Sequence, residues 1–155
     1  MKKRFDLSAA CQNRNVKDRA AALGYACMIM SNCRRSSGFQ MRTLAFWIAP
    51  AIDHEQITFL FDRTSTPKGY VMWAHLAPDT EQRLLADPNF LLHPSEWYEG
   101  GKTWIIDFCF PTGAVNEAAV LLKNLMKDAG IKQVSWARRY ADYSIRKVVT
   151  YKLRY

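Results

Sequence analysis

The chain of 155 residues contains no apolar run of the roughly 20 residues that would span a bilayer; the stretch from Ala20 to Met30 is far too short. No membrane span is therefore expected. The opening MKKRFDLSAACQNRN is basic but lacks the apolar h-region of a signal peptide, so no export signal is expected either. The four cysteines (Cys11, Cys27, Cys33, Cys109) form no CxxC pair and no zinc-like spacing. Cys27 and Cys109 sit among apolar residues, as buried reduced thiols do, which points to the cytoplasm. There is no internal repeat, low-complexity tract or linker, so residues 1–155 are expected to form one domain with a core of its own. Histidine is scarce: three occur, His54, His75 and His93, and none lies between Met1 and Pro50.

Two partial motifs also fail on inspection. Gly100-Gly101-Lys102-Thr103 looks like the end of a phosphate loop, but Glu96 stands at the first glycine position and the stretch precedes a strand instead of following one. Arg35-Ser36-Ser37-Gly38-Phe39-Gln40 begins like the pyrophosphate loop of CoA-dependent N-acetyltransferases, yet it ends in Gln40 and no strand precedes it. Direct use of a CoA thioester is not expected.

What the chain does have is positive charge. A net charge of +8 concentrates anions near the surface and predicts an acidic partner. Arg and Lys alternate with Tyr in RRYADYSIRKVVTYKLRY, a pattern that can stack single-stranded nucleic acid. No nucleic-acid motif accompanies it, so a half-buried edge strand is the plainer reading and nucleic acid is not an expected partner.

Hydrophobic spacing predicts a helix over 16–30, ended by SNCRRSSG, and leaves 39–53 open between helix and strand, with Pro50 as a break. A hairpin over 56–61 and 69–76 follows, then a short helix with Asp79 as N-cap, and a strand through 104–110. A helix over 115–129 should bury Val115, Ala118, Ala119, Leu122, Leu125 and Met126 and end at Gly130. Strands over 132–140 and 144–155 close the chain, the last with Val149, Tyr151, Leu153 and Tyr155 on its inner face. The fold class is α+β with a mostly antiparallel sheet flanked by helices.

WIIDFCFPTG, residues 104–113, sets one carboxylate, Asp107, in an apolar strand. Burying an unpaired carboxylate costs several kcal/mol, about 3 or more, so a partner is required. The longer stretch EWYEGGKTWIIDFCFPTG resembles the RTX-toxin-activating lysine acyltransferases, the hemolysin-activator family, whose pattern D-W-x-x-G-x-R/K-x-W-x-I-D-W-x-x-P-x-G is met at Trp97, Gly100, Lys102, Trp104, Ile106, Asp107, Pro111 and Gly113. Leu23-Gly24, Pro50-Ala51-Ile52 and Trp73-Ala74-His75-Leu76 match further family positions in order. Residues 23–113 carry the resemblance well and the remainder loosely.

The resemblance implies a fold like the Gcn5-related N-acetyltransferases. It also implies transfer of a fatty acyl group from the 4'-phosphopantetheine thioester of acyl carrier protein to a lysine ε-amine, with no tightly bound cofactor. Acyl carrier proteins are acidic, which suits the +8 charge. The acceptor is expected to be a lysine-bearing protein toxin or ribosomally made peptide, and the family allows a homodimer. Because a lysine of pKa about 10.4 is almost wholly protonated at neutral pH, a base is needed. In the family a histidine near the end of the first helix, supported by the aspartate matching Asp107, takes that role.

Here the ungapped count from Leu23 puts Ser36 at the histidine position. Three alternatives stand. His75, at the end of a neighbouring strand, substitutes as base and reaches Asp107. Ser36 or Cys33 acts as a nucleophile, or Asp107 works through water. Or the domain binds a carrier, lipid or peptide without the reaction. Arg34, Arg35 and Lys102 are candidate contacts for the acidic carrier. Among the tryptophans, which have plain core readings too, Trp73 and Trp104 are the candidates for an acyl channel.

Overall fold

The computed structural model describes residues 8–10 and 15–155; the opening residues and Cys11 discussed above lie outside them. Helix α1 (Val16–Ser31) starts at Asn15, whose side chain accepts from the Asp18 N–H at 2.9 Å, and it buries Ala22, Ala26, Ile29 and Met30 along one stripe. A turn over 33–37 leads into a continuous helical segment: α2 (Met41–Thr43), a π-helical turn (Leu44–Ile48) and α3 (Ala49–Asp53). Pro50 does not break it. Proline removes an N–H and crowds the preceding turn; a π turn reaches five residues back, here from the Ala49 N–H to the Leu44 carbonyl, and absorbs the misfit just ahead of the ring. Arg19 grips Asp53 at 2.7 and 3.1 Å and ties α1 to α3.

Strand β1 (Ser8–Ala10) pairs with β2 (Ile57–Phe61), which forms the expected hairpin with β3 (Pro67–Leu76). Helix α4 (Pro78–Ala86) begins at Pro78 with Ala77 as N-cap, so Asp79 is the second residue of its first turn and does not cap it. Glu99 anchors the start of the helix, accepting from the Ala77 N–H at 3.1 Å and the Thr80 hydroxyl at 3.0 Å. Then come β4 (Lys102–Cys109), α5 (Val115–Asp128), β5 (Gln133–Arg139) and β6 (Ile145–Lys152). Gly130, at φ +74°, follows α5 as expected, in the left-handed conformation that closes a helix.

The six strands lie in chain order, and every pair is antiparallel except β4–β5. That parallel pair is joined by α5, the crossover a parallel connection requires. Helices α1, α3 and α4 cover one sheet face through Ile29, Ile52, Leu84, Tyr70, Met72 and Trp97. Helix α5 covers the other through Ala118 and Met126, packed with Leu60, Val71, Trp73 and Leu153. Val115 is largely exposed, and β6 is more open than its alternation suggests: Val149 is half-buried, and Tyr151 and Tyr155 are exposed. No helix among the described residues is long and apolar enough to cross a membrane.

Candidate active site

Asp107 reaches its position through a β-bulge. The β3–β4 ladder pairs Met72 with Asp107 and the next residue, Trp73, with Ile105, so Ile106 is an extra residue on β4. Trp104 and Ile106 pack under α1 and α3, whereas Ile105 packs under α5. Strict alternation would then turn Asp107 toward α5. The bulge instead puts Ile106 and Asp107 on the same face, and alternation resumes with Phe108 toward α5 and Cys109 toward the helical core.

On that face the carboxylate is almost enclosed, with 13% of its side chain exposed. One oxygen, Oδ1, accepts from Arg35 Nη2 at 3.3 Å and from the Phe108 N–H at 2.8 Å. The other, Oδ2, accepts from the Tyr70 hydroxyl at 2.9 Å and from Trp47 Nε1 at 3.3 Å. Burial, and after it the Asp107 charge, pushes the Tyr70 phenol far above its usual value, so it stays a donor. The π turn is what brings Trp47 here, an example of that irregularity appearing beside a functional group.

A cleft of about 440 Å³ opens in front of Asp107. Strands β4 and β5 pair only over Thr103–Ile105 and Val134–Trp136, then part; Ile106 and Asp107 line the cleft from one strand and Arg139 from the other. Arg35 and Ser36, from the turn after α1, and Trp47, from the π turn, form another wall. Arg139 donates to the carbonyls of Tyr143 at 2.6 Å and Leu84 at 2.8 Å, and burial lowers its guanidinium below the usual value. No histidine lines the cleft. Behind it, Ser36 is buried with its hydroxyl 3.9 Å from Cys109 Sγ. Burial raises the Cys109 thiol to about 12. Burial also pushes the Cys33 thiol up, but hydrogen bonds from Ser36, Arg35 and Cys109 together outweigh it and leave Cys33 below its usual value.

The sequence profile of the RTX toxin acyltransferase family (HlyC) matches residues 15–152, nearly the whole chain. This chain belongs to that family. The leukotoxin-activating lysine-acyltransferase LktC of Mannheimia haemolytica serotype A1 is 35% identical over 91 residues, 59% of this chain and 53% of the relative. Its counterpart LtxC of Aggregatibacter actinomycetemcomitans is 30% identical over 105 residues, 68% of this chain and 60% of the relative. The chain thus spans about half the length of the curated relatives it matches. Among solved structures, a GNAT family acetyltransferase from Listeria monocytogenes superposes with a TM-score of 0.57 at 10% identity, covering 96% of both chains. The GphF GNAT-like decarboxylase in complex with isobutyryl-CoA gives the same score at 14% identity, covering 86% of this chain and 66% of the other. At such identities the likeness concerns the fold alone, and it bears out the acetyltransferase-like α+β expectation.

Within this member of the RTX toxin acyltransferase family the expected site residues do not all come together. Asp107, Ser36 and Arg35 converge on the cleft, with Arg35 bonded to the carboxylate. His75 does not face Asp107, which corrects that expectation. It pairs with Thr103, four residues along β4 from Asp107 or about 13 Å of strand, and its ring bonds the Thr103 hydroxyl at 2.9 Å. Its neighbours are Tyr98, edge-on at 5.0 Å, and a separate polar cavity. Burial depresses the His75 imidazole.

Lys102 is held by Glu81 at 3.0 Å, as is the Trp104 indole N–H at 2.8 Å, so neither reaches the cleft. Trp73 packs under α5 with Met126 and Leu153. Arg34 is exposed. Tyr70 and Arg139 were not singled out by sequence, and no local pattern marks them, because the bulge and the parting of two strands 30 residues apart bring them to the site.

Proposed function

We propose that this protein transfers a fatty acyl group from the thioester of acyl carrier protein to a lysine ε-amine of a protein toxin or ribosomally made peptide, in the cytoplasm. The observation that carries this reading is the bulge: in a chain of this family, it aims one carboxylate into a cleft at the parting of the parallel strands. The amine nitrogen attacks the thioester carbonyl carbon, the C–S bond breaks and an amide forms. Of the two protons the ammonium loses, one leaves with the carrier thiol and one goes to solvent. Asp107 orients the amine as its hydrogen-bond acceptor. Arg35, half exposed and so the donor most open to solvent, swings off to meet the developing oxyanion, where a charged donor acts most strongly. Arg34 contacts the acidic carrier.

A second reading, binding without transfer, is favoured by one detail. The Asp107 carboxylate accepts four hydrogen bonds, as many as its lone pairs hold, and the cleft has no histidine to share its task. Incubation with acyl carrier proteins loaded with saturated chains of several lengths, reading intact mass of this protein and of the acceptor, separates the two. Mass gain on the acceptor supports transfer; carrier binding without gain supports the second reading. A stable adduct on this protein would instead assign a nucleophile, with Ser36 and Cys33 the candidates.

A further inference from the structure

Behind the candidate active site, on the opposite face of the sheet, lies a further cavity. It holds about 420 Å³ between α5 and strands β4, β5 and β6, within the size range of small-molecule sites. Its walls are Ile105, Phe108, Ala119, Leu122, Trp136 and neighbouring apolar side chains, with Lys123 and Arg138 the charged members. Lys123 lies over the Tyr151 ring at 4.5 Å. A space this apolar, left open between a helix and a sheet, forgoes packing that the same residues would otherwise make.

Its position relative to the cleft is informative. The β4–β5 ladder ends at Ile105 and Trp136, both lining this groove. Past that pair the side chains divide between the faces: Ile106, Asp107 and Arg139 line the cleft, whereas Phe108 and Arg138 line the groove. The two cavities therefore flank the same parting of the strands. We infer that the groove under α5 takes the apolar tail of the acyl donor, its thioester lying at Asp107 and its chain passing between β4 and β5. This rests on the acyl-transfer reading and adds where the chain goes. The polar amides of a pantetheine arm find few partners on these walls; methylenes find a fitting surface, each one moved from water tightening binding about fourfold.

Tryptophan placement makes the inference testable without turnover, since Trp136 lines the groove and Trp47 lines the cleft. Acyl carrier protein loaded with a brominated fatty chain quenches indoles it touches. The expected result is quenching that Trp136→Phe largely removes and Trp47→Phe leaves, together with a shift of chain preference toward shorter donors in Ala119→Phe. Quenching that disappears in Trp47→Phe and survives in Trp136→Phe would put the chain in the cleft and overturn the inference. Carrier binding with no quenching would overturn it as well. Acceptor mass is read in parallel: groove quenching without acceptor acylation keeps the inference and removes the transfer reading, and acylation with cleft quenching does the reverse.

Discussion

Asp107→Asn replaces an acceptor-only group by one that is half donor, at a point where four donors converge. With the amide oxygen in the Oδ1 place, the Phe108 N–H and Arg35 keep a neutral acceptor, and the NH₂ group then faces the Trp47 indole N–H; the Tyr70 hydroxyl can turn to accept. Flipping the amide strands the Phe108 N–H instead. Either way one enclosed donor loses its partner, costing about 1–2 kcal/mol, and the bonds that remain lose charge assistance, about 1 kcal/mol more. Loss of the Arg35 charge pair adds little, because the guanidinium is 55% exposed and returns to water. The sum is about 2–3 kcal/mol, or roughly 4–12 °C in Tm for a chain of this size. Urea unfolding by circular dichroism measures it, with Arg35→Ala as the companion variant at less than about 1 kcal/mol. Stability unchanged within about 0.5 kcal/mol in Asp107→Asn, or a larger loss in Arg35→Ala, would refute the assignment of Asp107 as the hub.

Two glycines should respond in opposite directions. A Cβ on Gly101 would overlap the Leu76 carbonyl, so Gly101→Ala should cost about 2–4 kcal/mol, whereas exposed Gly24 within α1 has open space and Gly24→Ala should gain about 0.5–1 kcal/mol; unfolding midpoints decide both. Iodoacetamide at neutral pH, followed by peptide mass mapping, should label Cys33 well before Cys109, whose buried thiol lies near 12; equal rates in the folded protein would contradict the site geometry. Acidification should lower stability in two stages. His75 is depressed by burial, so the folded state binds its proton less readily than the unfolded one; its contribution is complete above the usual 6.5 and is lost progressively below that, as pH falls through the lower folded value. Glu81, which burial alone would raise but which Trp104 and Lys102 hold down, and Glu96, held down by Arg83, contribute above the usual 4.5 and lose that below it. The upper stage should vanish in His75→Gln, and stability rising between pH 7 and pH 5 would reverse the sign of the argument.

Helix α1, the hairpin, α5 and the closing strands were legible because each depends on local spacing and punctuation. The family pattern around Asp107 was legible for the same reason. What could not be read was the Ile106 bulge: WIIDFCF alternates no differently for carrying an extra residue, yet that residue decides which face Asp107 joins. Its partners stayed hidden with it, and His75, apparently close by strand order, lies on the other face. Pro50 misled in the opposite sense, since a π turn let the helix continue and delivered Trp47 to the carboxylate. Asp79 failed as a cap because Pro78, whose missing N–H and fixed φ suit a first helical position, starts the helix one residue earlier.

The most direct test of the acyl-transfer account is the single-turnover rate of acyl transfer from loaded acyl carrier protein to an acceptor lysine, wild type against Asp107→Asn, with both proteins confirmed folded. Acyl transfer at Asp107 requires acceptor acylation by the wild type and a fall of about 10²-fold or more in the variant. Equal rates, or a wild type that binds the loaded carrier and leaves the acceptor unmodified, would contradict it.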